Sequence, residues 1–159
     1  ILDVPVGTAV FTERKWKNIS KAQITCLDYS EDMLLQAKNR LDECKHVSCV
    51  QGDVGNLMMA DETFDIVLSM NGFHAFPDKE NAFEETWRVL KSGGLFIACF
   101  YIKGKSKTTD WLVKNILSKK GWFTPPFQSE EELKAILEGK YQEVEVHVDG
   151  SMVYFKCKK

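Results

Sequence analysis

Three carboxylates and one histidine are the residues of this chain best placed to do chemistry. Asp3 closes the short apolar run Ile1-Leu2 and leads into a tight, small-residue turn, Val4-Pro5-Val6-Gly7-Thr8-Ala9. Asp28 closes a second apolar run, Gln23-Ile24-Thr25-Cys26-Leu27. In a strand–turn–helix–strand unit, an acid at the end of the second strand can accept hydrogen bonds from ribose hydroxyls, so the pair points to a nucleoside site. Asp53 follows Gly52 in the turn after a third apolar run, His46 to Val50. His74 lies just past the carboxyl end of a fourth strand and is the candidate base, should an acceptor need to lose a proton. Capping or packing its own loop is at least as good a reading of that ring. His46 and His147 sit within strands and read as structural. The five cysteines are scattered without C-x-x-C or Cys/His ligand spacing, so no metal is expected and reduced thiols in a cytoplasmic protein are.

The elements that must hold these residues alternate between strand and helix. Thr8 to about Trp16 reads as a helix with Thr8 as its N-cap. Ser30 is a better N-cap, with Glu31 and Asp32 in the first turn and Met33, Leu34, Ala37 and Leu41 on one apolar face. Thr63 to Met70 is the fourth strand, and Asp78 to Leu90 is an amphipathic helix whose Glu80, Glu84 and Glu85 form a solvated face. Gly93-Gly94 turns the chain into Leu95–Ile102, apolar enough for a central buried strand. Lys103 to Lys120 reads as a basic helix with Trp111, Leu112, Val113, Ile116 and Leu117 on one face; Lys103 and Lys105 are placed to attract an anionic substrate. Gly121 to Phe127 is a rigid aromatic loop that can wall a substrate or simply pack. Ser129-Glu130-Glu131-Glu132 opens a helix to about Glu138 with a capping box. Val144, Val146 and Val148 alternate with polar residues, Asp149-Gly150 makes a hairpin turn, and Ser151 to Lys158 returns.

The choice of nucleoside turns on glycines. A dinucleotide fingerprint, G-x-G-x-x-G, lets backbone approach a pyrophosphate, but around Gly7 the flanking positions are Pro5 and Val10. A cofactor without phosphates tolerates that loss, which favours S-adenosylmethionine (SAM) over a nicotinamide dinucleotide. Asp3-Val4-Pro5-Val6-Gly7-Thr8-Ala9 resembles the D/E-x-G-x-G-x-G loop of class I SAM-dependent methyltransferases, with Pro5 and Ala9 in place of the outer glycines. Further segments match the family in order: Leu27-Asp28-Tyr29-Ser30-Glu31-Asp32-Met33-Leu34, Gln51-Gly52-Asp53-Val54, Phe64-Asp65-Ile66-Val67-Leu68-Ser69 and Arg88-Val89-Leu90-Lys91-Ser92-Gly93-Gly94. The resemblance covers nearly the whole chain and is strongest to small-molecule methyltransferases of the ubiquinone and menaquinone type.

That resemblance implies an α/β, Rossmann-like fold: a mostly parallel seven-stranded sheet, helices on both faces, and a C-terminal antiparallel hairpin. It implies one SAM-binding domain over residues 1–159. Asp3 with the backbone of Pro5, Val6, Gly7 and Thr8 would hold the methionine end, together with Ser69, Met70 and Asn71. Asp28 would take the ribose, Tyr29 and Met33 would flank the adenine, and Gly52, Asp53 and Val54 would read its edge. The family carries helices ahead of the first strand; a chain starting at Ile1 is expected to lack them and to have an open pocket. The activity implied is methyl transfer to a small molecule. A SAM-binding domain without catalysis and a nicotinamide-dependent oxidoreductase are the rivals, the first motivated by Pro5 and Ala9, the second weakened by the closing hairpin. A net charge of -2 argues against a nucleic-acid partner or an acidic membrane, and no apolar run reaches the ~20 residues of a membrane span.

Overall fold

The computed structural model describes residues 1–159 as one seven-stranded sheet in the order β3-β2-β1-β4-β5-β7-β6. The strands are β1 (Leu2–Asp3), β2 (Ile24–Asp28), β3 (Val47–Gln51), β4 (Phe64–Met70), β5 (Leu90–Tyr101), β6 (Glu143–Asp149) and β7 (Met152–Lys158). β1 to β5 run parallel, and β7 pairs antiparallel with both β5 and β6. Gly150, at φ +56°, closes the terminal hairpin. The helices are α1 (Glu13–Asn18), α2 (Glu31–Arg40), α3 (Lys79–Val89), α4 (Lys107–Leu112), which runs on as a π-helical turn over Val113–Leu117, and α5 (Glu130–Glu138).

Period-two alternation along the strands divides the core in two. Ile24 and Cys26 of β2 pack with Trp16, Leu34, Ala37 and Leu41 beneath α1 and α2. Leu27, Val67, Phe96 and Phe100 point to the other face, under α3 and α5. That second core is aromatic: the Phe73 ring centroid lies 4.3 Å from Phe83 and 5.4 Å from Phe100, and Phe96 meets Phe155 edge-on at 5.1 Å. Arg88 fastens the rim, donating to the carbonyls of Leu57 and Met59 and pairing with Asp61 and Glu85. Glu85 is therefore tied inward to Arg88 and the Leu57 N–H, and does not belong to a solvated face with Glu80.

Three further expectations are corrected. The first helix begins at Glu13, not Thr8, because Gly7 (φ +56°) and Ala9 (φ +60°) take left-handed backbone and residues 7–12 form consecutive turns. Its N-cap is Thr12, which makes no side-chain cap bond. Second, Gly93 and Gly94 sit inside the β4–β5 ladder: Phe64 pairs with Leu90 but Ile66 with Leu95, so the intervening residues bulge out. Third, the basic helix is short, ending in the π turn at Leu117.

Candidate functional site

The strand order reverses between β1 and β4, the position at which open α/β sheets bind ligands beyond their carboxyl ends. A cleft of ≈ 770 Å³ opens there, a size that suits a nucleoside-sized ligand. One wall comes from the ends of β1, β2 and β3: Pro5 and Gly7, Asp28 and Tyr29, and Gly52 to Gly55, with Met33 of α2 above them. The opposite wall is Ala75-Phe76-Pro77-Asp78 with Asn81, closed by Gly121 and Trp122.

Asp28 is the hinge of the first wall. Its Oδ2 accepts from the Gly7 N–H at 2.7 Å and its Oδ1 from the Ser30 N–H at 2.9 Å, tying the first loop to the end of β2. Each carboxylate oxygen keeps a second acceptor position, which leaves capacity for two ligand hydroxyls. Asp53 folds back in the same manner, with Oδ1 accepting from the Gly55 N–H at 2.8 Å. A Cβ on Gly7 would meet nothing within 4 Å, so the loop's concave side is open, and Tyr29 is 77% exposed above it.

The other expected residues lie around this wall without lining it. Asp3 is fully buried, and its Oδ2 accepts from the Trp16 Nε1–H at 2.7 Å. Burial lifts its pKa to about 6, against the lowering effect of Trp16 and nearby Thr12. Thr12 Oγ1 and Asp3 Oδ1 nevertheless both lack a partner in full hydrogen-bond geometry. Val6 packs into the smaller core and Thr8 follows it in the turn. Ser69 is buried at the end of β4 with an unpartnered hydroxyl, Met70 touches Cys99, and Asn71 (φ +57°) turns the chain away, its N–H bonded to the Cys99 carbonyl. Gly72 is held tightly against this loop: an added Cβ would stand 2.1 Å from Pro5 Cδ.

His74 also lies outside the lining. Its ring stacks on Phe123 at 4.0 Å, and Nδ1 faces the Tyr101 N–H at 3.5 Å. Burial, reinforced by the Lys79 charge, lowers its pKa to about 4, so the ring is neutral at physiological pH. Lys79 is 5% exposed and donates from Nζ to the carbonyls of Phe76 and Thr124, locking the start of α3 to the aromatic loop. Desolvation lowers its pKa to about 8.

Sequence reading missed the second wall's residues 75–78 and Asn81. One local signal was present: Asp78 caps α3 through the Asn81 N–H at 3.0 Å and also accepts from Asn81 Nδ2 at 2.7 Å. Nothing local announced that this cap would face β1. Of the aromatic loop, Gly121 and Trp122 line the cleft, while Phe123 and Phe127 pack against His74 and Tyr101.

The lining includes Asp28, Asp53 and Asp78 and no lysine or arginine. Three carboxylates repel a pyrophosphate and favour a ligand that carries positive charge and hydroxyls. Nor does a helix N-terminus stand at the first loop to offset that repulsion, since α1 starts at Glu13 with an acid in its first turn. The residues present thus fit SAM and do not fit a dinucleotide.

Known proteins agree. The profile of a family described as "Methyltransferase domain" matches residues 2–98. Demethylmenaquinone methyltransferase of Staphylococcus epidermidis is 39% identical over 97 residues, covering 60% of this chain and 40% of that protein. The chloroplastic 2-methyl-6-phytyl-1,4-hydroquinone methyltransferase 1 of rice (Oryza sativa subsp. japonica) is 28% identical over 154 residues, covering 97% of this chain and 44% of that protein. The chain therefore spans less than half the length of these curated relatives. A crystal structure from Thermotoga maritima, described as a SAM-dependent methyltransferase and possible histamine N-methyltransferase, superposes with a TM-score of 0.79 at 24% identity, over 99% of this chain and 80% of that one. Because the family profile accounts for more than half of its residues, this chain belongs to the methyltransferase domain family.

Proposed function

We propose that the protein transfers the methyl group of SAM to a small aromatic acceptor of the hydroquinone or phenol type. The observation that carries this reading is the cleft at the β1/β4 switch point, lined by three carboxylates and no cation. When bound, SAM supplies a methyl group on a sulfonium, already activated for in-line displacement. The chain's own task is then to hold, align and exclude water, which can contribute effective molarities on the order of 10⁵–10⁸ M.

Asp28 would accept from the ribose hydroxyls, Tyr29 and Met33 would flank the adenine, and Gly52, Asp53 and Val54 would meet its edge. The backbone of Pro5 to Thr8 and the end of β4, Ser69 to Asn71, would border the methionine portion. Asp3 would act indirectly, since its carboxylate is spent on Trp16 beneath the loop. Phe76 and Trp122 offer flat apolar surface to an acceptor ring. His74 is better suited to propping that wall, as a neutral ring stacked on Phe123, than to proton abstraction: a base with pKa about 4 is far from neutral operating pH. The hydroquinone class is supported by the names of the two curated relatives and by this aromatic wall.

The test is incubation of the protein with SAM and a panel of hydroquinones, phenols, amines and carboxylates, read by mass spectrometry. A one-methyl mass gain on a hydroquinone or phenol is expected. Methylation of amines alone would move the acceptor class, and cofactor binding without transfer to any compound would leave a binding domain.

A further inference from the structure

Residues 103–122 leave the carboxyl end of β5 and carry six lysines against one acid, Asp110. That acid is committed internally, accepting from the Tyr101 hydroxyl at 2.6 Å and the Gly104 N–H at 2.9 Å. Lys103 and Lys105 pair with Glu132 and Glu130. Lys107, Lys114, Lys119 and Lys120 are exposed and join no ion pair. Within a chain of net charge -2, this segment is therefore strongly positive.

The same segment is apolar where a surface helix should be wettest. α4 and its π turn bury Val113 alone, while Trp111 is 61% exposed, Leu112 41% and Ile116 37%. Trp122, 59% exposed, folds back onto the end of this helix through its N–H to the Leu117 carbonyl at 3.1 Å. Lys120 Nζ stands 4.9 Å from the Trp122 ring centroid. Exposed tryptophan and aliphatic residues among unpaired lysines match the headgroup region of a bilayer, where rings enter the interface and ammonium groups meet phosphates. A second copy meeting this face by two-fold symmetry would bring the same lysines against each other.

We propose that this surface docks the domain on an anionic lipid membrane, with Trp111, Leu112 and Ile116 entering the headgroup boundary and the four unpaired lysines facing lipid phosphates. No helix is long and apolar enough to cross a membrane, and surface docking requires none. Because Gly121 and Trp122 also line the cleft, docking would turn its mouth toward an acceptor dissolved in the bilayer. That last consequence rests on the proposed activity; the docking does not.

The experiment is sedimentation of the protein with vesicles of phosphatidylcholine alone and of phosphatidylcholine and phosphatidylglycerol in equal parts, beside S-adenosylhomocysteine titration of every variant. Binding to the anionic vesicles, weak on the neutral ones and reversed by salt, is expected. Lys119→Gln with Lys120→Gln should weaken it about thirtyfold, roughly fivefold per lysine. Trp111→Ala should weaken it about tenfold. None of these residues lines the cleft, so S-adenosylhomocysteine affinity should match the parent's. Equal binding to both vesicle types, no vesicle binding, or binding indifferent to both variants would overturn the proposal. So would a concentration-dependent dimer that Trp111→Ala abolishes in the absence of vesicle binding, which would assign the face to a second copy. Docking without S-adenosylhomocysteine binding would remove the proposed activity and leave the docking standing.

Discussion

On one side of the cleft, Asp28, Gly52 and Asp53 are held by hydrogen bonds within and between neighbouring strand ends, such as Gly7 N–H to Asp28 and Gly52 N–H to the Asp28 carbonyl. On the other side, Phe76 and Trp122 belong to segments joined by side chains that reach far along the sequence. Lys79 bonds the Thr124 carbonyl across 45 residues, and His74 stacks on Phe123. The first wall is backbone geometry fixed by the sheet, suited to a ligand that does not change. The second is aromatic packing between loops, which can vary without disturbing the sheet.

The strongest way to break that division is at Gly72, which packs directly against Pro5 of the first wall. Gly72→Ala would place a methyl 2.1 Å from Pro5 Cδ and 2.9 Å from Ser69 Oγ, neither of which can withdraw freely. A loss of about 3 kcal/mol in denaturant unfolding is expected, together with weaker cofactor binding, because the Pro5 loop must shift. Unchanged cofactor affinity would mean that the first wall does not depend on this contact.

Asp3 sharpens the comparison by pH. Burial raises its pKa from the ordinary 3.8 to about 6, so the folded state holds the proton more tightly than the unfolded chain does. The resulting contribution to stability is full below about pH 4, declines as pH rises, and is gone above about pH 6. Asp3→Asn cannot titrate, so the parent should lose about 3 kcal/mol relative to this variant between those pH values. A flat difference in unfolding free energy across that range would refute the burial argument.

Lys79 and His74 probe the second wall, with smaller effects. Lys79→Met removes both carbonyl ties while keeping the apolar stem, and should raise the acceptor KM about tenfold with S-adenosylhomocysteine affinity nearly unchanged. His74→Gln should cost less, about threefold, with no change in the shape of the pH–rate profile near neutrality, since the parent ring is already neutral there. A lost ionisation in that profile would restore His74 as the base.

The same division explains what was legible in the sequence. Strand ends, the Ser30 cap, the Ser129 capping box and the terminal hairpin are local signals, and all four stand in the structure. That Asp28, Tyr29, Met33, Gly52, Asp53 and Val54 would lie together was legible because each follows a strand or opens a helix, and they line one cleft. The displaced start of α1 was not, because a left-handed Ala9 is a property of the folded loop and not of alanine. Phe76, Pro77 and Asn81 were not, because their place in the site depends on the long-range packing of Phe73 and Lys79. The lysines of residues 103–122 were visible, but the exposure of Trp111 emerged only from the fold.

The central claim is that the first wall is a SAM site organised on Asp28, and calorimetric titration with S-adenosylhomocysteine tests it most directly. The parent should bind saturably at one site, Asp28→Ala should bind about a hundredfold more weakly through loss of charge-assisted hydrogen bonds, and NAD should not bind either protein. Equal affinity in parent and variant, or saturable binding of NAD in place of S-adenosylhomocysteine, would contradict the account.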